Sequence, residues 1–308
     1  MSMHTSRRDF LRTVSAGAAA AALGGALPAF AQAPKRTFGI SLAFWSLHRT
    51  VGKKEGQVSA LDVPKMAREE FGIDAVELVN HMLASDEKPY LDEFARNAAA
   101  ANTKILLIMV DGQGDVGSRS ENIRGRCVEN HKKWIDIAAD FGCHSIRMNW
   151  GGAPKEFLTN AEELQAFIER SVPGFQSLCV YGETKNVNIL LENHWGPSSY
   201  PDIVERLIAA IDHPRFGMLP DFGNFPEDVD RYDAIDRLMK HAKAVSAKCY
   251  DFDDATGEET TMDFPRILDV VCDKHGYDGY IGIEYEGNRL PERDGILACK
   301  KLLEKLRG

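Results

Sequence analysis

The chain has 308 residues, of which 44% are hydrophobic and 27% charged, and its net charge is −9. One α/β barrel can use this whole length, and a chain of this size buries a large core without disulfide or metal cross-links. The acidic balance argues against nucleic acid or an anionic membrane as partner, because like charges repel.

The first 33 residues have the order of features of an export signal. Residues 6–11 read SRRDFL, a twin-arginine pattern, and a weakly apolar stretch rich in Ala and Gly follows over 14–27. Residues 29–33 then offer a small-residue cleavage site. We expect a twin-arginine signal peptide over 1–33 and a periplasmic mature protein over 34–308. The alternative is a frayed, Ala-rich helix of the mature protein.

Eight short runs of β-branched and aliphatic residues recur along the rest of the chain. Most are continuously apolar rather than alternating, which is typical of parallel strands that are covered on their outer face. The predicted strands cover residues 38–42, 75–79, 104–110, 144–149, 187–193, 216–221, 243–249 and 280–285.

The segments between these runs carry helix signals. Asp62 with Pro64 marks one helix start, and Pro173-Gly174 predicts a break or kink in a helix that begins after Asn160. Further helices are predicted over 120–142, 201–211, 232–241, 264–275 and 291–306. Strict alternation without a linker predicts an α/β fold, namely a single-domain (β/α)8 TIM barrel. It argues against the alternative of two doubly wound halves.

Six scattered cysteines form no Cys-x-x-Cys pair and no zinc-binding spacing. We interpret them mostly as small buried apolar residues, with a disulfide formed late as the alternative.

Active sites of such barrels lie at the carboxyl ends of the strands, and three carboxylates stand there. Glu192, Asp221 and Glu284 end predicted strands five, six and eight. Buried carboxylates that converge repel each other, and one divalent cation would relieve that repulsion. Oxygen ligands favour Mn²⁺, Mg²⁺ or Co²⁺, with Zn²⁺ if a histidine joins. The alternative is an internal ion-pair cluster with Lys248 and Arg147.

Four motifs together resemble the xylose-isomerase-like superfamily, which includes ketose 3-epimerases, inosose dehydratases and hydroxypyruvate isomerases. They are LLENHWG at 190–196, LPDFGN at 219–224, KCYDFD at 248–253 and GIEYEG at 282–287. The resemblance spans residues 39–306 and implies a TIM barrel acting on sugars.

In the epimerase branch, a Glu, an Asp, a His and a Glu from strands five to eight bind one divalent metal, and the two glutamates move protons. The resemblance therefore implies Glu192, Asp221 and Glu284 as metal ligands, with Glu192 and Glu284 catalytic. Ser246 stands where the family has the histidine. Either His194 or a water completes the metal site, or Lys248 supplies the positive charge without a metal, so Lys248 is a third catalytic candidate.

Further polar and aromatic residues follow the predicted strands and are candidates for binding substrate. They are Trp45, His81, Asn149, His194 and Asn224. The alternative for His194 is to orient Glu192, and for Asn224 to shape the turn after Asp221. Ordinary loop packing is the alternative for the others, including Trp150 beside Asn149. Arg289 and Arg293 are candidates for contacting a phosphate.

These features favour a sugar or ketosugar isomerase or epimerase, in which paired glutamates and a divalent metal move a proton next to a carbonyl. One alternative is a lyase or dehydratase acting on an inosose or a 3-keto-glycoside with the same site. Another is a non-catalytic barrel that binds carbohydrate. The expected partner is a small carbohydrate or cyclitol, and the sequence leaves open whether the chain forms an oligomer.

Overall fold

Eight parallel strands form the centre of this computed structural model, which describes residues 35–151 and 155–308. The predicted signal peptide lies outside the described residues. The strands are β1 Gly39–Ala43, β2 Ala75–Val79, β3 Lys104–Val110, β4 Ser145–Met148, β5 Asn188–Glu192, β6 Phe216–Leu219, β7 Val245–Cys249 and β8 Tyr280–Tyr285.

The strands pair in the order β6-β5-β4-β3-β2-β1-β8-β7. Two parallel bridges, Met218 with Ala242 and Asp221 with Ser246, join the remaining edges on the β6 and β7 sides. The sheet therefore curls round to meet itself, and the predicted TIM barrel is confirmed. All eight predicted strands are found, with ends that differ by at most two residues.

A helix follows each strand and covers the outer face of the sheet. The helices are α1 Val63–Glu70, α2 Lys88–Ala100, α3 Glu121–Asp140, α4 Ala161–Lys185, α5 Pro201–Ile211, α6 Arg231–Met239, α7 Phe264–Leu268 and α8 Glu292–Arg307. A π-helical segment, Asp269–Lys274, continues α7. The sequence did not locate α2, because only Phe94 and Ala98 of that helix are fully buried and its apolar period is weak.

Of the break or kink predicted at Pro173, the break is wrong, because α4 runs through this residue. Residues at helical spacing on both sides of the proline are buried, among them Phe167, Ser171, Phe175 and Leu178. Packing of this one face against the barrel offsets the hydrogen bond that proline cannot donate.

Side chains alternate between the helix layer and the barrel interior along each strand. The interior of the barrel holds polar residues, as the contact between Ser41 Oγ and Glu77 Oε1 at 2.6 Å shows for β1 and β2. All six cysteines are free and buried, which agrees with their interpretation as apolar residues. Among the described residues, no helix has the length and apolar character needed to cross a membrane.

Candidate active site

Three carboxylates meet at the carboxyl ends of the strands. Glu192 is the last residue of β5, Asp221 follows β6, and Glu284 lies near the end of β8. Each is at most 2% exposed, and one oxygen of each lies within 4.8 Å of the other two. The three side chains that the sequence singled out are therefore brought together, and their oxygens could hold a metal ion.

Asp221 is fixed by the turn that follows it. Its Oδ1 accepts hydrogen bonds from the backbone N–H groups of Gly223 and Asn224, both at 2.8 Å. Side-chain acceptance two and three residues ahead is the Asx geometry that favours Asp at the start of a turn. Its other oxygen, Oδ2, lies 3.0 Å from Ser246 Oγ and is the one turned towards the neighbouring carboxylates.

Ser246 on β7 stands between two of the carboxylates. Its Oγ lies 3.0 Å from Asp221 Oδ2 and 2.9 Å from Glu284 Oε2. A hydroxyl carries one proton and can donate to only one of these oxygens at a time. The other carboxylate therefore needs a proton or a cation of its own at this point.

Lys248 brings a positive charge to the same place. Its Nζ lies 3.1 Å from Glu284 Oε1 and 3.3 Å from Glu286 Oε2, and it donates to Asn224 Oδ1 at 3.2 Å. Burial by itself lowers the pKa of Lys248, but Asp221 and Glu284 outweigh this and hold the pKa well above its usual value. Lys248 is therefore an ammonium ion in the site.

Arg147 on β4 supplies the second cation. Its Nε lies 2.8 Å from Glu192 Oε2, and its Nη1 donates to Asp111 Oδ1 at 2.6 Å. The contact with Glu192 is an ion pair that is not aligned as a hydrogen bond, which leaves Glu192 Oε2 buried without a hydrogen-bond donor. The other oxygen of Glu192 accepts from Asn224 Nδ2 at 3.1 Å. Asn224 thus links Glu192 to Lys248.

The three carboxylates differ in how burial is compensated. Burial raises the pKa of Glu192, and the attraction of Arg147 offsets only part of this. Burial raises the pKa of Asp221 as well, in spite of Lys248. Burial acts the same way on Glu284, but Lys248 and Arg147 outweigh it and lower its pKa. Glu192 and Asp221 therefore hold their protons more firmly than an ordinary carboxyl group, whereas Glu284 ionises readily.

The charged side chains at the carboxyl ends of the strands fit a divalent cation. Four carboxylates of the barrel interior surround two cations, and Glu286 also contacts Lys248, so full ionisation would leave at least two negative charges uncompensated. The four carboxylates and two cations are Asp111, Glu192, Asp221 and Glu284, with Arg147 and Lys248. Three converging carboxylate oxygens suit a metal that prefers oxygen ligands.

Asp111 was not identified from the sequence, although it directly follows β3 and satisfies the same positional rule as the other carboxylates. Asn80 fixes its backbone through two hydrogen bonds of 2.9 Å. Asn149 donates to Asp111 Oδ1 at 2.7 Å. Asp111 Oδ2 and Asn149 Oδ1 are buried and have no donor. Two buried acceptors therefore remain without a donor in this part of the site.

Aromatic residues stand around the mouth of the barrel. Trp45 follows β1, is half-buried, and lies against the exposed His81, with ring centroids 5.1 Å apart. His194 follows Glu192 and is half-buried, and burial lowers its pKa to about 4, so its ring is neutral at neutral pH. Trp150 packs on Phe167 in the core, which agrees with the packing alternative for this residue.

The two arginines considered for a phosphate already have carboxylate partners. Arg289 pairs with Asp251 and Asp254, and Arg293 pairs with Glu70. Neither arginine therefore presents a free charge for a phosphate group in this arrangement.

Glu77 lies deeper in the barrel, on β2, and is 2% exposed. Its Oε1 accepts from Ser41, while Oε2 has no partner. Burial raises its pKa to about 7. A Cβ at Gly282 would lie 2.6 Å from the carboxyl group, so β8 needs glycine where Glu77 approaches it.

Comparison with known proteins finds one matching family and many solved structures with a similar fold. A family model described as a xylose isomerase-like TIM barrel matches residues 67–306. No curated protein matches the sequence significantly.

Among solved structures, a 3-keto-D-glucoside 4-epimerase from E. coli has a TM-score of 0.67 at 13% identity, covering 88% of this chain and 100% of that one. A probable 3-DHS dehydratase from Bacillus anthracis has a TM-score of 0.65 at 19% identity, with coverages of 87% and 99%. A xylose isomerase-like protein from Mycobacterium smegmatis, in complex with magnesium, has a TM-score of 0.64 at 18% identity, with coverages of 88% and 96%. Identities this low establish a shared fold only.

Proposed function

Because the chain belongs to the xylose isomerase-like TIM barrel family, we propose that it is a sugar or ketosugar isomerase or epimerase that moves a proton on the carbon next to a carbonyl. One observation carries the proposal. Glu192 and Glu284 come from β5 and β8 and bring carboxylate oxygens within 4.8 Å of each other in a buried site. Two carboxylates that approach from different strands can remove a proton from one carbon and return it.

The cations of the site have a role in this chemistry. Removing a proton beside a carbonyl places negative charge on the carbonyl oxygen, and a fixed ammonium or guanidinium in a buried site stabilises such charge. Lys248 lies 3.1 Å from Glu284, and Arg147 lies 2.8 Å from Glu192, so each glutamate is also held in place by its own cation. Asn224 acts as a positioning residue, because its amide contacts both Glu192 and Lys248.

We propose Glu192, Asp221 and Glu284 as ligands of one divalent metal, and Mg²⁺, Mn²⁺ and Co²⁺ suit their oxygen atoms best. When bound, such an ion would supply positive charge to polarise the carbonyl group of the substrate. The magnesium in the similar protein from Mycobacterium smegmatis is consistent with this proposal.

A carbohydrate suits the rest of the site. Asp111 Oδ2 and Asn149 Oδ1 are buried acceptors without donors, and the hydroxyl groups of a sugar or cyclitol would supply them. Trp45 and His81 offer aromatic surface at the mouth, and neutral His194 offers a ring nitrogen. We propose these residues as the contacts of the substrate.

A dehydratase or lyase is the second candidate, and the raised pKa values of Glu192 and Asp221 favour it. Elimination needs an acid that protonates the departing oxygen, and these two carboxyl groups bring an oxygen within 4.8 Å of Glu284, the candidate base. Both reactions begin by removing the same proton. The names of the similar structures, an epimerase and a probable dehydratase, are consistent with either outcome.

Product analysis tests the proposal. The purified protein is incubated with a panel of ketohexoses, inososes and 3-keto-glucosides, and the products are identified by NMR. We expect an isomer or epimer of at least one compound, with turnover lowered by at least about a hundredfold in Glu192→Gln and in Glu284→Gln. Glu55→Gln, on an exposed loop, is the matched control. An eliminated product would assign the lyase, and unchanged turnover in both glutamate variants would contradict either reaction at this site.

A further inference from the structure

Trp195 exposes an unusual amount of apolar surface next to the site. It lies three residues after Glu192, and its exposed fraction is 63%, against 57% for Val180, 44% for Leu297 and 36% for Ile123. These are the exposed large hydrophobic residues of the described part of the chain. Of the four, only Trp195 lies in a loop that begins at a strand end carrying an active-site carboxylate; the other three lie in helices. Trp195 therefore stands at the face of the barrel where the strands end and the proposed substrate site opens.

The backbone of Trp195 is held in a conformation that residues with a Cβ rarely adopt. Its φ is +62° and its ψ is 156°. Strain of this kind persists only where surrounding contacts enforce it, and it is concentrated at functional sites. Here Ser198, which is 2% exposed, donates to the carbonyl oxygen of Trp195 at 3.1 Å and accepts from the His194 backbone at 2.9 Å. A buried hydroxyl thus fixes both peptide groups beside the indole.

The His194 ring connects Trp195 with the site, because it lies close enough to Lys248 and Glu284 to be affected by their charges. Three extended residues span at most about 11 Å. The backbone of Trp195 therefore lies within about that distance of the backbone of Glu192. The His194 ring lies between the two in sequence and packs edge-on against the indole, with centroids 6.2 Å apart.

We propose that Trp195 forms an outer subsite that stacks on a second ring of the substrate, so that the enzyme acts on a glycoside rather than on a free monosaccharide. This inference rests on the proposal that the site takes a carbohydrate. The flat apolar face of an indole suits the C–H face of a pyranose, and its N–H can donate to a hydroxyl. The inner ring then lies at the carboxylates, and the outer ring lies over Trp195.

Calorimetric titration of the full chain with D-glucose, cellobiose and maltose tests this subsite without requiring turnover. The variants are Trp195→Ala, Trp195→Phe, which keeps an aromatic face, and Val180→Ala as a matched exposed apolar control. We expect the wild type to bind at least one disaccharide about tenfold more tightly than glucose. Trp195→Ala should bind that disaccharide no better than glucose, while Trp195→Phe and Val180→Ala should keep most of the preference.

Three results would overturn the subsite. They are a wild type with no preference for either disaccharide, a Trp195→Ala variant with unchanged affinities, and a loss of self-association in Trp195→Ala by sedimentation with sugar binding unaltered. The last would assign Trp195 to contact between two copies of the chain. The Glu284→Gln variant separates this inference from the proposed reaction: retained disaccharide preference with no effect on turnover would contradict the reaction and leave the subsite standing.

Discussion

Arg147 Nε lies 2.8 Å from Glu192 Oε2, and both side chains are at most 2% exposed. A charge at this depth is costly unless an opposite charge compensates it, so each residue depends on the other. The same guanidinium reaches Asp111 through Nη1 at 2.6 Å. Arg147 therefore connects the carboxylate after β3 with the carboxylate that ends β5, and its loss would affect both stability and the site.

Replacement of Arg147 by methionine should lower the free energy of unfolding by about 3–5 kcal/mol, because it leaves Glu192 buried without its cation. Denaturant unfolding followed by circular dichroism measures this change. The double variant Arg147→Met with Glu192→Gln should lose less than the sum of the two single variants, because the uncompensated charge is then removed. Strict additivity would show that the two residues do not interact.

Replacement of Glu77 by glutamine should stabilise the protein, and more so as the pH rises. Burial raises the pKa of Glu77 from 4.5 to about 7, so the native state keeps a proton that the unfolded state releases. Stability from this group is fully present below pH 4.5 and falls as the pH rises towards 7. We expect a gain of under about 1 kcal/mol at pH 5 and about 3 kcal/mol at pH 8.

Thermal unfolding of Glu77→Gln across that pH range, beside the exposed control Glu55→Gln, checks this expectation. A gain that does not vary with pH would mean that Glu77 titrates alike in the folded and unfolded states.

Elemental analysis of protein purified without chelators should find about one divalent ion per chain, because Glu192, Asp221 and Glu284 supply three oxygens to one point. Asp221→Ala should lose the ion, and the exposed control Asp278→Ala should retain it. If the wild type and the Asp221 variant contain equal amounts, the ion binds elsewhere. A wild type without metal would leave Lys248 and Arg147 as the only cations of the described site.

Export by the twin-arginine route remains a proposal from residues 1–33. Replacing both Arg7 and Arg8 by lysine should keep the protein in the cytoplasm, because the route depends on the arginine pair. Fractionation of cells that express the two forms measures this. Periplasmic protein from the variant would contradict the assignment.

The strands were predictable because most are continuous apolar runs between helix signals. Three acidic residues at the ends of such runs stood out because their neighbours are apolar. Asp111 ends such a run as well, but a single aspartate after β3 does not reveal the arginine that it meets. Arg147 lies inside β4, where sequence cannot tell which carboxylates it pairs with. The unpartnered oxygens of Asp111 and Asn149 follow from packing in three dimensions.

The α2 helix and the path of α4 show a different limit. In α2, the Ala-rich sequence shows only a weak helical pattern of apolar and polar residues, so the sequence alone does not reveal the helix. In α4, a local signal for a break at Pro173 is overridden by a buried face that continues on both sides. The exposed and strained Trp195 likewise depends on Ser198, whose contact with it is visible only in the structure.

Deuterium incorporation from D₂O tests the central claim most directly, since proton removal beside a carbonyl exchanges that hydrogen with solvent whatever product follows. With a keto-sugar that binds the protein, NMR should show deuterium at the carbon next to the carbonyl. The rate should fall by at least about a hundredfold in Glu284→Gln and in Glu192→Gln, and stay unchanged in Glu55→Gln. Exchange at the wild-type rate in both variants would contradict the assignment of the two glutamates as the groups that move the proton.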